Sequence, residues 1–381
     1  MNSERTHKGM PGVVIKYAEK NQREAIRALW QEAFADPEVF ADYYFEQVYP
    51  ENRVLVAEKD GQILSMLHLN PYEWKFEMNS GHPVRLHYIV GVATGQEYRR
   101  KGLMAECLRR ALQDMEQAGE PFTYLMPAKE EYYTPFDFVP VARQRIWEKP
   151  DKGSGWILQT AEQSAWEIGE PEQKFEGSVQ EAGESEPRRL VLPWKARNYP
   201  LRTAAYRRRL EAEMKCDCGG LIEWADSKGY AAYGFEDGDP KTSPVIMQVY
   251  MEEAAEEEER KPVSDVVEET VCPTLYERYG DCRIRYVEKQ PIMLRILNLE
   301  RFVKLLAYKG KDVVYHVQVN DTICSLNQGR FRIRLSENGC TAVRLSETDE
   351  TECRLQEIAE LTKWLIKATD FADTLYIMEI V

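Results

Sequence analysis

At 381 residues the chain is longer than one hydrophobic core usually serves, so we expect two or three domains. A hydrophobic share of 43% and a charged share of 30% are those of an ordinary globular protein. The net charge of −14 argues against nucleic acid as the main partner and agrees with a cationic substrate. Residues 1–12 lack the apolar core of a signal peptide, and no apolar run approaches a membrane span, which favours a cytoplasmic protein without a membrane partner.

The cysteines predict neither disulfides nor a metal site. Eight are scattered along the chain, and Cys216 and Cys218 are the only close pair. A single pair without a second pair downstream does not indicate zinc. We therefore predict reduced thiols and no metal.

The first part of the chain mixes strands and helices. Predicted strands lie at 13–17, 53–58, 63–70, 73–78, 84–93, 122–126 and 139–147. Predicted helices run from Asn21, from Pro37 to about Val48, and from near Arg99 to Gly119. The second of these helices is rich in aromatic residues, which either pack in the core or form a substrate wall.

Segment 90–104 leads from an apolar strand through a polar turn into a helix. A helix start leaves backbone N–H groups without partners and carries about half a positive charge. Arg99, Arg100 and Lys101 add full charges, and Gly102 allows phosphates to approach the backbone. The segment lacks both the Gly-Lys-Ser/Thr of a P-loop and the three-glycine dinucleotide fingerprint. It therefore predicts a site for another anionic, nucleotide-like cofactor; the alternative is a basic helix start that binds nothing.

Arg99-x-x-Gly102-x-Met104 resembles the pyrophosphate motif of GNAT acetyltransferases, Arg/Gln-x-x-Gly-x-Gly/Ala, with Met104 as the departure. A bulkier aliphatic residue there resembles the multidomain enhanced-intracellular-survival (Eis) branch. The resemblance implies acetyl-CoA as cofactor and a strand 84–93 that splays from its neighbour. It also implies that the Val92 N–H polarises the thioester carbonyl. The implied cofactor-binding residues are Val90, Gly91, Val92, Arg99, Arg100, Lys101, Gly102, Leu103, Met104 and Ala105.

Residues 133–138, Tyr-Thr-Pro-Phe-Asp-Phe, resemble the family segment Tyr-x-x-Phe-Gly-Phe/Tyr, with Asp137 in place of glycine. The resemblance implies that Tyr133 protonates the departing thiolate. A thiolate with a pKa of about 8.5 can take a proton from a phenol with a pKa of about 10 because the two values are close. Tyr132 is the rival acid, and a tyrosine that only packs is the other possibility.

The remaining chain divides into two further regions. Beyond a polar stretch at 148–188, we predict a middle domain with a helix at 198–214 and strands at 222–224, 230–235 and 245–250. It resembles the degenerate second GNAT repeat of the Eis branch and lacks the Arg99–Gly102 motif, so we expect no cofactor there. The last region has predicted strands at 292–297, 312–319, 329–335 and 340–345, and a helix at 355–367. This pattern resembles a sterol-carrier-like α+β domain.

The chain ends on an apolar hexapeptide, Tyr376–Val381, whereas most chains end in a loose polar tail. Such an end is expected to be buried. In the Eis branch the terminal carboxylate is the base for the incoming amine, and the resemblance implies that role for Val381. The alternative is an edge strand with its carboxylate in solvent.

Together these features predict a mixed α/β (α+β) fold of tandem GNAT-like domains followed by a sterol-carrier-like domain. The predicted limits are 1–149, 150–285 and 286–381. The predicted function is acetyl-CoA-dependent acetylation of a primary amine on a cationic small molecule, such as a polyamine or an aminoglycoside. The alternatives are a non-catalytic acyl-CoA or lipid-binding protein and a protein-lysine acetyltransferase. The resemblance also implies a homo-oligomer, a hexamer.

Overall fold

The computed structural model describes residues 4–7, 9–79, 82–143, 146–148, 157–159, 198–223, 229–235, 238–242, 244–251, 267–280, 291–346 and 348–377. The chain forms two compact units. The first combines Met1–Ala142, Ala196–Cys216 and Gln290–Val381, and the second combines Arg143–Lys195 and Asp217–Lys289. Both ends of the chain therefore belong to one unit, and the predicted limits at 149 and 285 remain predictions.

The strands, in chain order, are β1 (Arg5–Thr6), β2 (Val14–Tyr17), β3 (Arg53–Lys59), β4 (Gln62–Lys75), β5 (Val84–Thr94), β6 (Phe122–Leu125), β7 (Val139–Arg143), β8 (Ile146–Glu148), β9 (Ile157–Gln159), β10 (Tyr199–Pro200), β11 (Gly220–Glu223), β12 (Gly229–Phe235), β13 (Pro244–Met251), β14 (Pro291–Ile296), β15 (Val313–Asn320), β16 (Gly329–Leu335), β17 (Thr341–Arg344) and β18 (Arg354–Glu357). The α-helices are α1 (Arg23–Phe34), α2 (Glu38–Tyr43), α3 (Leu103–Ala118), α4 (Ala204–Cys216), α5 (Cys272–Tyr279), α6 (Leu299–Val303), α7 (Ile358–Ala368) and α8 (Phe371–Thr374).

The main sheet of the first unit has the order β1-β2-β3-β4-β5-β6-β14-β7. The short strand β10 pairs with the C-terminal end of β4. β5 and β6 are parallel, whereas β14 runs antiparallel to β6. A strand from near the chain's end thus lies between two strands of the first domain. The single strand predicted at 139–147 was wrong: it is divided into β7 in this sheet and β8, which pairs with β9 in another.

β4 is one strand of fourteen residues, so the separate strands predicted at 63–70 and 73–78 were wrong. Pro71, which lies between the two predicted strands, pairs with His87 within the ladder. The strand continues because Tyr72 and Trp74 prolong the buried face on which His68 lies.

Helices cover this sheet. α1 and the helical residues up to Val48 pack Trp30, Tyr44 and Phe45 against Val56 on β3 and neighbouring residues. The buried apolar residues of α3 are Leu103, Cys107, Leu108, Ala111, Leu112 and Met115. α3 packs against β3, β4 and β5.

A four-stranded sheet completes the first unit, with the order β17-β16-β15-β18. Its strands confirm those predicted at 312–319, 329–335 and 340–345. The helix predicted from residue 355 begins instead at Ile358, because the residues before it pair as β18 with β15.

The second unit contains the antiparallel sheet β11-β12-β13, which confirms the three strands predicted there. Its core contains Phe235 and Val249 from the sheet, together with Val271 and Leu275 around the start of α5.

Candidate active site

A β-bulge interrupts β5 at two of the predicted site residues. His68 of β4 pairs with Val90 and Met66 pairs with Ala93, so Gly91 and Val92 together lie opposite one residue. Gly91 has a φ of 58°, and a Cβ atom there would lie 2.5 Å from the Trp30 ring. Both the backbone conformation and the space require glycine at this position. The bulge breaks the regular ladder where Val92 was expected to present its N–H.

β5 also separates from its parallel neighbour at this point. The described pairing between β5 and β6 is at Tyr88 and Tyr124; β6 ends at Leu125, but β5 continues to Thr94. Val90 and Val92 are half-buried along this part of the strand. The free edge suits an extended ligand that pairs with strand backbone, as the resemblance implied.

The loop after β5 turns into α3 through two residues with left-handed backbone. Arg100 has a φ of 61° and Gly102 a φ of 81°. The prediction that the helix begins near Arg99 was therefore wrong: it begins at Leu103, and the Glu106 N–H donates to the Gly102 carbonyl at 3.1 Å. Left-handed residues in such a loop turn successive N–H groups towards one side, which makes an anion-binding concavity.

Three exposed cationic residues stand in the loop just before this helix start. Arg99 donates from Nε to the Thr94 carbonyl at 3.1 Å, and the Lys101 ammonium lies 5.1 Å from the centre of the Tyr98 ring. Arg100, between these two residues in the sequence, is also exposed. A Cβ atom on Gly102 would meet one neighbour within 4 Å, His7 Nε2 at 3.6 Å. The backbone at Gly102 is thus open beside the charges, and this arrangement fits a diphosphate.

Tyr133 lies in a turn that follows β6. It joins two short 3₁₀ helices, Glu130–Tyr132 and Thr134–Phe136. Its N–H donates to the Glu130 carbonyl at 2.9 Å, and its own carbonyl accepts from the Phe136 N–H at 3.0 Å. The ring packs edge-on against Phe138, with 5.9 Å between the ring centres.

Burial separates the two candidate acids. The Tyr133 side chain is 8% exposed, whereas Tyr132 is 54% exposed. Burial raises the pKa of Tyr133 to about 12, because the protein around it solvates a phenolate poorly. Tyr133 is thus a protonated, sheltered phenol, and Tyr132 is a surface residue.

Asp137, the departure from the glycine of the motif, keeps the backbone that glycine would supply. Its φ is 61°, in the left-handed region that aspartate tolerates better than most residues. Its carboxylate lies 3.5 Å from the guanidinium of Arg295 on β14. Burial raises the pKa of Asp137, with Arg295 opposing that rise.

A buried polar cluster that no sequence motif predicted lies beside the bulge. His68 Nδ1 is 2.9 Å from the Tyr44 hydroxyl, which also accepts from Asn52 Nδ2 at 3.0 Å. His68 Nε2 and Asn70 Nδ2 have no hydrogen-bond partner among the described residues. Burial lowers the pKa of His68 to about 3, so the imidazole is neutral. The signal in the sequence was a pair of polar residues at alternate positions of one strand, which is too common to indicate a site.

The residues leading to the chain's end are buried. Leu375, Tyr376 and Ile377 are each less than a twentieth exposed. The Tyr376 N–H donates to the Asn198 carbonyl at 3.0 Å, and Asn198 Oδ1 accepts from the Glu77 N–H at 3.2 Å, just beyond β4. Val381 itself lies outside the described residues.

Two family models match parts of the chain. Residues 14–141 match the acetyltransferase (GNAT) domain. The first domain is a GNAT domain. Residues 299–379 match the sterol carrier protein domain. The predicted mixed α/β fold, with a GNAT domain and a C-terminal sterol-carrier-like domain, is thereby confirmed, as is the enzyme class, N-acetyltransferase.

Solved structures of similar length share the fold. A GCN5-related N-acetyltransferase from Anabaena variabilis has 15% identity and a TM-score of 0.62, with 91% of this chain and 88% of that one covered. One from Kribbella flavida has 11% identity and a TM-score of 0.60, with 97% and 98% covered. Eis1 from Mycobacterium abscessus has 14% identity and a TM-score of 0.59, with 92% and 89% covered. No curated protein matches the chain.

Membrane spans and metal clusters are both absent from the described part of the chain. No described helix is both long and apolar enough to cross a membrane. No group of three or more histidine, cysteine, aspartate or glutamate residues in the described ranges could hold a metal ion.

Proposed function

We propose that this chain is an acetyl-CoA-dependent N-acetyltransferase of the Eis type that acetylates a primary amine on a cationic small molecule. The bulge at Gly91 and Val92 carries the proposal. It interrupts β5 where that strand leaves β6, directly before the cationic loop that opens α3. A strand edge and an anion site in immediate succession suit a ligand with an extended arm and a diphosphate.

The cofactor-binding residues divide into two groups. Val90, Gly91 and Val92 would hold the pantetheine arm through their backbone, and the Val92 N–H would stabilise the oxyanion. Arg99, Arg100, Lys101 and the N–H groups of Gly102, Leu103, Met104 and Ala105 would hold the phosphates. Bound acetyl-CoA would supply the acetyl thioester.

Tyr133 would donate the proton that the departing thiolate needs. With a pKa of about 12, the phenol remains protonated throughout the working range of an enzyme. The same burial that raises its pKa would raise that of a thiol leaving into the same site, because both anions lose solvation. Proton transfer therefore stays feasible in spite of the upward shift.

The proposed base is the terminal carboxylate of Val381. Desolvation would raise its pKa from about 3.5 and make it a stronger base. His68, although close to the bulge, is a poor candidate because its pKa of about 3 leaves the ring weakly basic. The proposal is supported by the burial of Leu375, Tyr376 and Ile377, the last described residues before Val381.

The proposed acceptor class rests on charge. The net charge of −14 attracts cations, which favours a polyamine or an aminoglycoside-like amine. By its resemblance to the Eis branch, we propose that the protein assembles as a hexamer.

The test is CoA-thiol release from acetyl-CoA with a panel of polyamines and aminoglycosides. Wild type is compared with a variant lacking Ile380 and Val381, and with Val381→Ala, which keeps a terminal carboxylate at the same position. We expect turnover in wild type and Val381→Ala, and loss of turnover in a truncated variant that remains folded by circular dichroism.

Other results would change the proposal. Turnover that survives the truncation would remove Val381 from the mechanism but keep the enzyme. Acetylation of folded proteins alone would indicate a protein-lysine acetyltransferase. Cofactor binding or lipid copurification without any turnover would favour the non-catalytic binding protein.

A further inference from the structure

Arg295 is the fifth of the six residues of β14, the strand inserted between β6 and β7. It pairs with Thr123 of β6, and its side chain is completely buried. Burying a guanidinium costs free energy unless its hydrogen bonds and its charge are matched. Its partners therefore show what this arginine holds together.

One set of partners belongs to the turn that carries Tyr133. Arg295 Nε donates to the Phe136 carbonyl at 2.9 Å, and Nη2 lies 3.5 Å from Asp137 Oδ2. The same Phe136 donates its N–H to the Tyr133 carbonyl. A single residue, Phe136, therefore connects Arg295 to Tyr133, because its backbone is hydrogen-bonded to both.

The other partner is Asp321, from the sterol-carrier-like domain. Its Oδ1 accepts from Arg295 Nη2 at 2.7 Å, and both side chains are completely buried. Asp321 is itself held by the N–H groups of Ile323 and Cys324 at 3.0 and 2.9 Å, and by Asn327 Nδ2 at 3.0 Å. The aspartate is a rigid anchor because these three donors restrain it.

The helix that opens the phosphate site contacts the same turn from another element. The Arg109 guanidinium of α3 lies 5.3 Å from the centre of the Phe136 ring. α3 also meets the Asp321 loop, where the Leu326 N–H donates to Glu116 Oε1 at 2.6 Å. The turn, α3 and the sterol-carrier-like domain therefore form one connected set of contacts.

We propose that Arg295 is a positioning residue for Tyr133: anchored by Asp321 and assisted by Asp137, it holds the turn at the place where the phenol meets the departing thiolate. The sterol-carrier-like domain then contributes to catalysis as a support for the acid. This inference rests on the proposed acetyl transfer, because Tyr133 acts as an acid only in that reaction.

Replacing Arg295 outright risks unfolding, because it would leave Asp321 buried and unpaired. The main variant is therefore Asp137→Asn, since asparagine tolerates the left-handed backbone and the ion pair between Arg295 and Asp321 is retained. Asp137→Asn removes the carboxylate charge that faces Arg295 and leaves the backbone of the turn in place, so we expect the loosening to be local and the melting temperature to stay close to that of wild type. Arg295→Lys retains the charge but loses the guanidinium, whose several N–H groups bind Phe136 and Asp321 at the same time. Asp312→Asn, which breaks an exposed pair with Arg334, is the matched control.

The experiment measures kcat in a double-mutant cycle that combines each variant with Tyr133→Phe. In the same variants, hydrogen exchange of the backbone amides of the turn is measured. We expect Asp137→Asn to lower kcat about tenfold, and Arg295→Lys more, with KM nearly unchanged, because a small displacement of a catalytic group has such effects. In the Tyr133→Phe background both losses should disappear. The amides of Tyr133, Phe136 and Asp137 should exchange faster in both variants and not in Asp312→Asn.

Two results would overturn the inference. One is an equal loss of kcat with and without the Tyr133 hydroxyl, and the other is unchanged exchange of the turn amides in both variants. If no amine is turned over, the proposed function fails; the exchange measurement then still decides whether Arg295 and Asp137 hold the turn.

Discussion

The loop Arg99–Gly102 and the turn around Tyr133 follow the carboxyl ends of two neighbouring parallel strands, but they are built differently. The loop is exposed, its conformation comes from a left-handed arginine and a glycine, and its cations reach solvent. The turn places Tyr133 in the interior and is held from β14 by Arg295, which lies 159 residues beyond Phe136 along the chain. Binding by the loop should therefore respond to single charges, whereas chemistry at the turn should respond to distant packing.

The largest expected effect is at the turn itself. Tyr133→Phe removes the proposed proton donor and should lower kcat by about 10²–10⁴-fold, the usual contribution of a general acid. Tyr132→Phe should leave kcat unchanged, because that side chain is 54% exposed. Steady-state kinetics of both variants beside wild type is the measurement. Equal losses, or a loss only with Tyr132→Phe, would reverse the assignment.

The bulge on β5 should be nearly as sensitive. Gly91→Ala places a Cβ atom 2.5 Å from Trp30 at a φ of 58°, so the bulge must shift and the Val92 N–H with it. Loss of one oxyanion donor costs about 10²–10³-fold in kcat. Gly61→Ala, at a φ of 83° with no neighbour within 4 Å, carries similar backbone strain without the clash. A kcat for Gly91→Ala equal to that of Gly61→Ala would remove the bulge from the mechanism.

The loop should show a smaller effect, confined to binding. Arg100→Gly keeps the left-handed backbone but removes one charge, and a charge-assisted hydrogen bond contributes about 1.5–3 kcal/mol. Calorimetry should show the Kd for acetyl-CoA rising about tenfold or more, with a weaker dependence on salt. Arg100→Asn should behave alike, because asparagine also tolerates this backbone. Tight binding by both variants would mean that this charge does not contact the phosphates.

The smallest expected effect is in the pH dependence of kcat. Tyr133 acts in its protonated form, and its raised pKa of about 12 keeps that form populated on the alkaline side. The rate should therefore show no loss near pH 10, where a tyrosine of ordinary pKa (about 10) would be half ionised. A decline centred near pH 10 in wild type would mean that the phenol is not shielded. The same decline in Arg295→Lys alone would show that Arg295 maintains the shielding.

Sequence reasoning predicted the loop better than the turn. Arg99, Arg100, Lys101 and Gly102 are consecutive, so their proximity to the helix start follows from the chain itself. The helix start was misplaced by about one turn because a left-handed arginine cannot be distinguished from a helical one by its type alone. Tyr133 was found by its resemblance to a motif, but its burial, which separates it from Tyr132, was not readable from two adjacent tyrosines.

The sequence by itself determined the strands and helices with strong periodicity and the cationic helix start. These features depend on neighbouring residues, whose spacing the chain dictates. Only the tertiary structure decided that β14 lies between β6 and β7, and that Arg295 joins Asp321 to the Tyr133 turn. Such contacts depend on how distant segments pack, and a buried arginine in an apolar strand does not indicate its partner. The proposed acid, Tyr133, was therefore recognisable from its neighbours in the sequence, but its position depends on Arg295, which lies far from it along the chain.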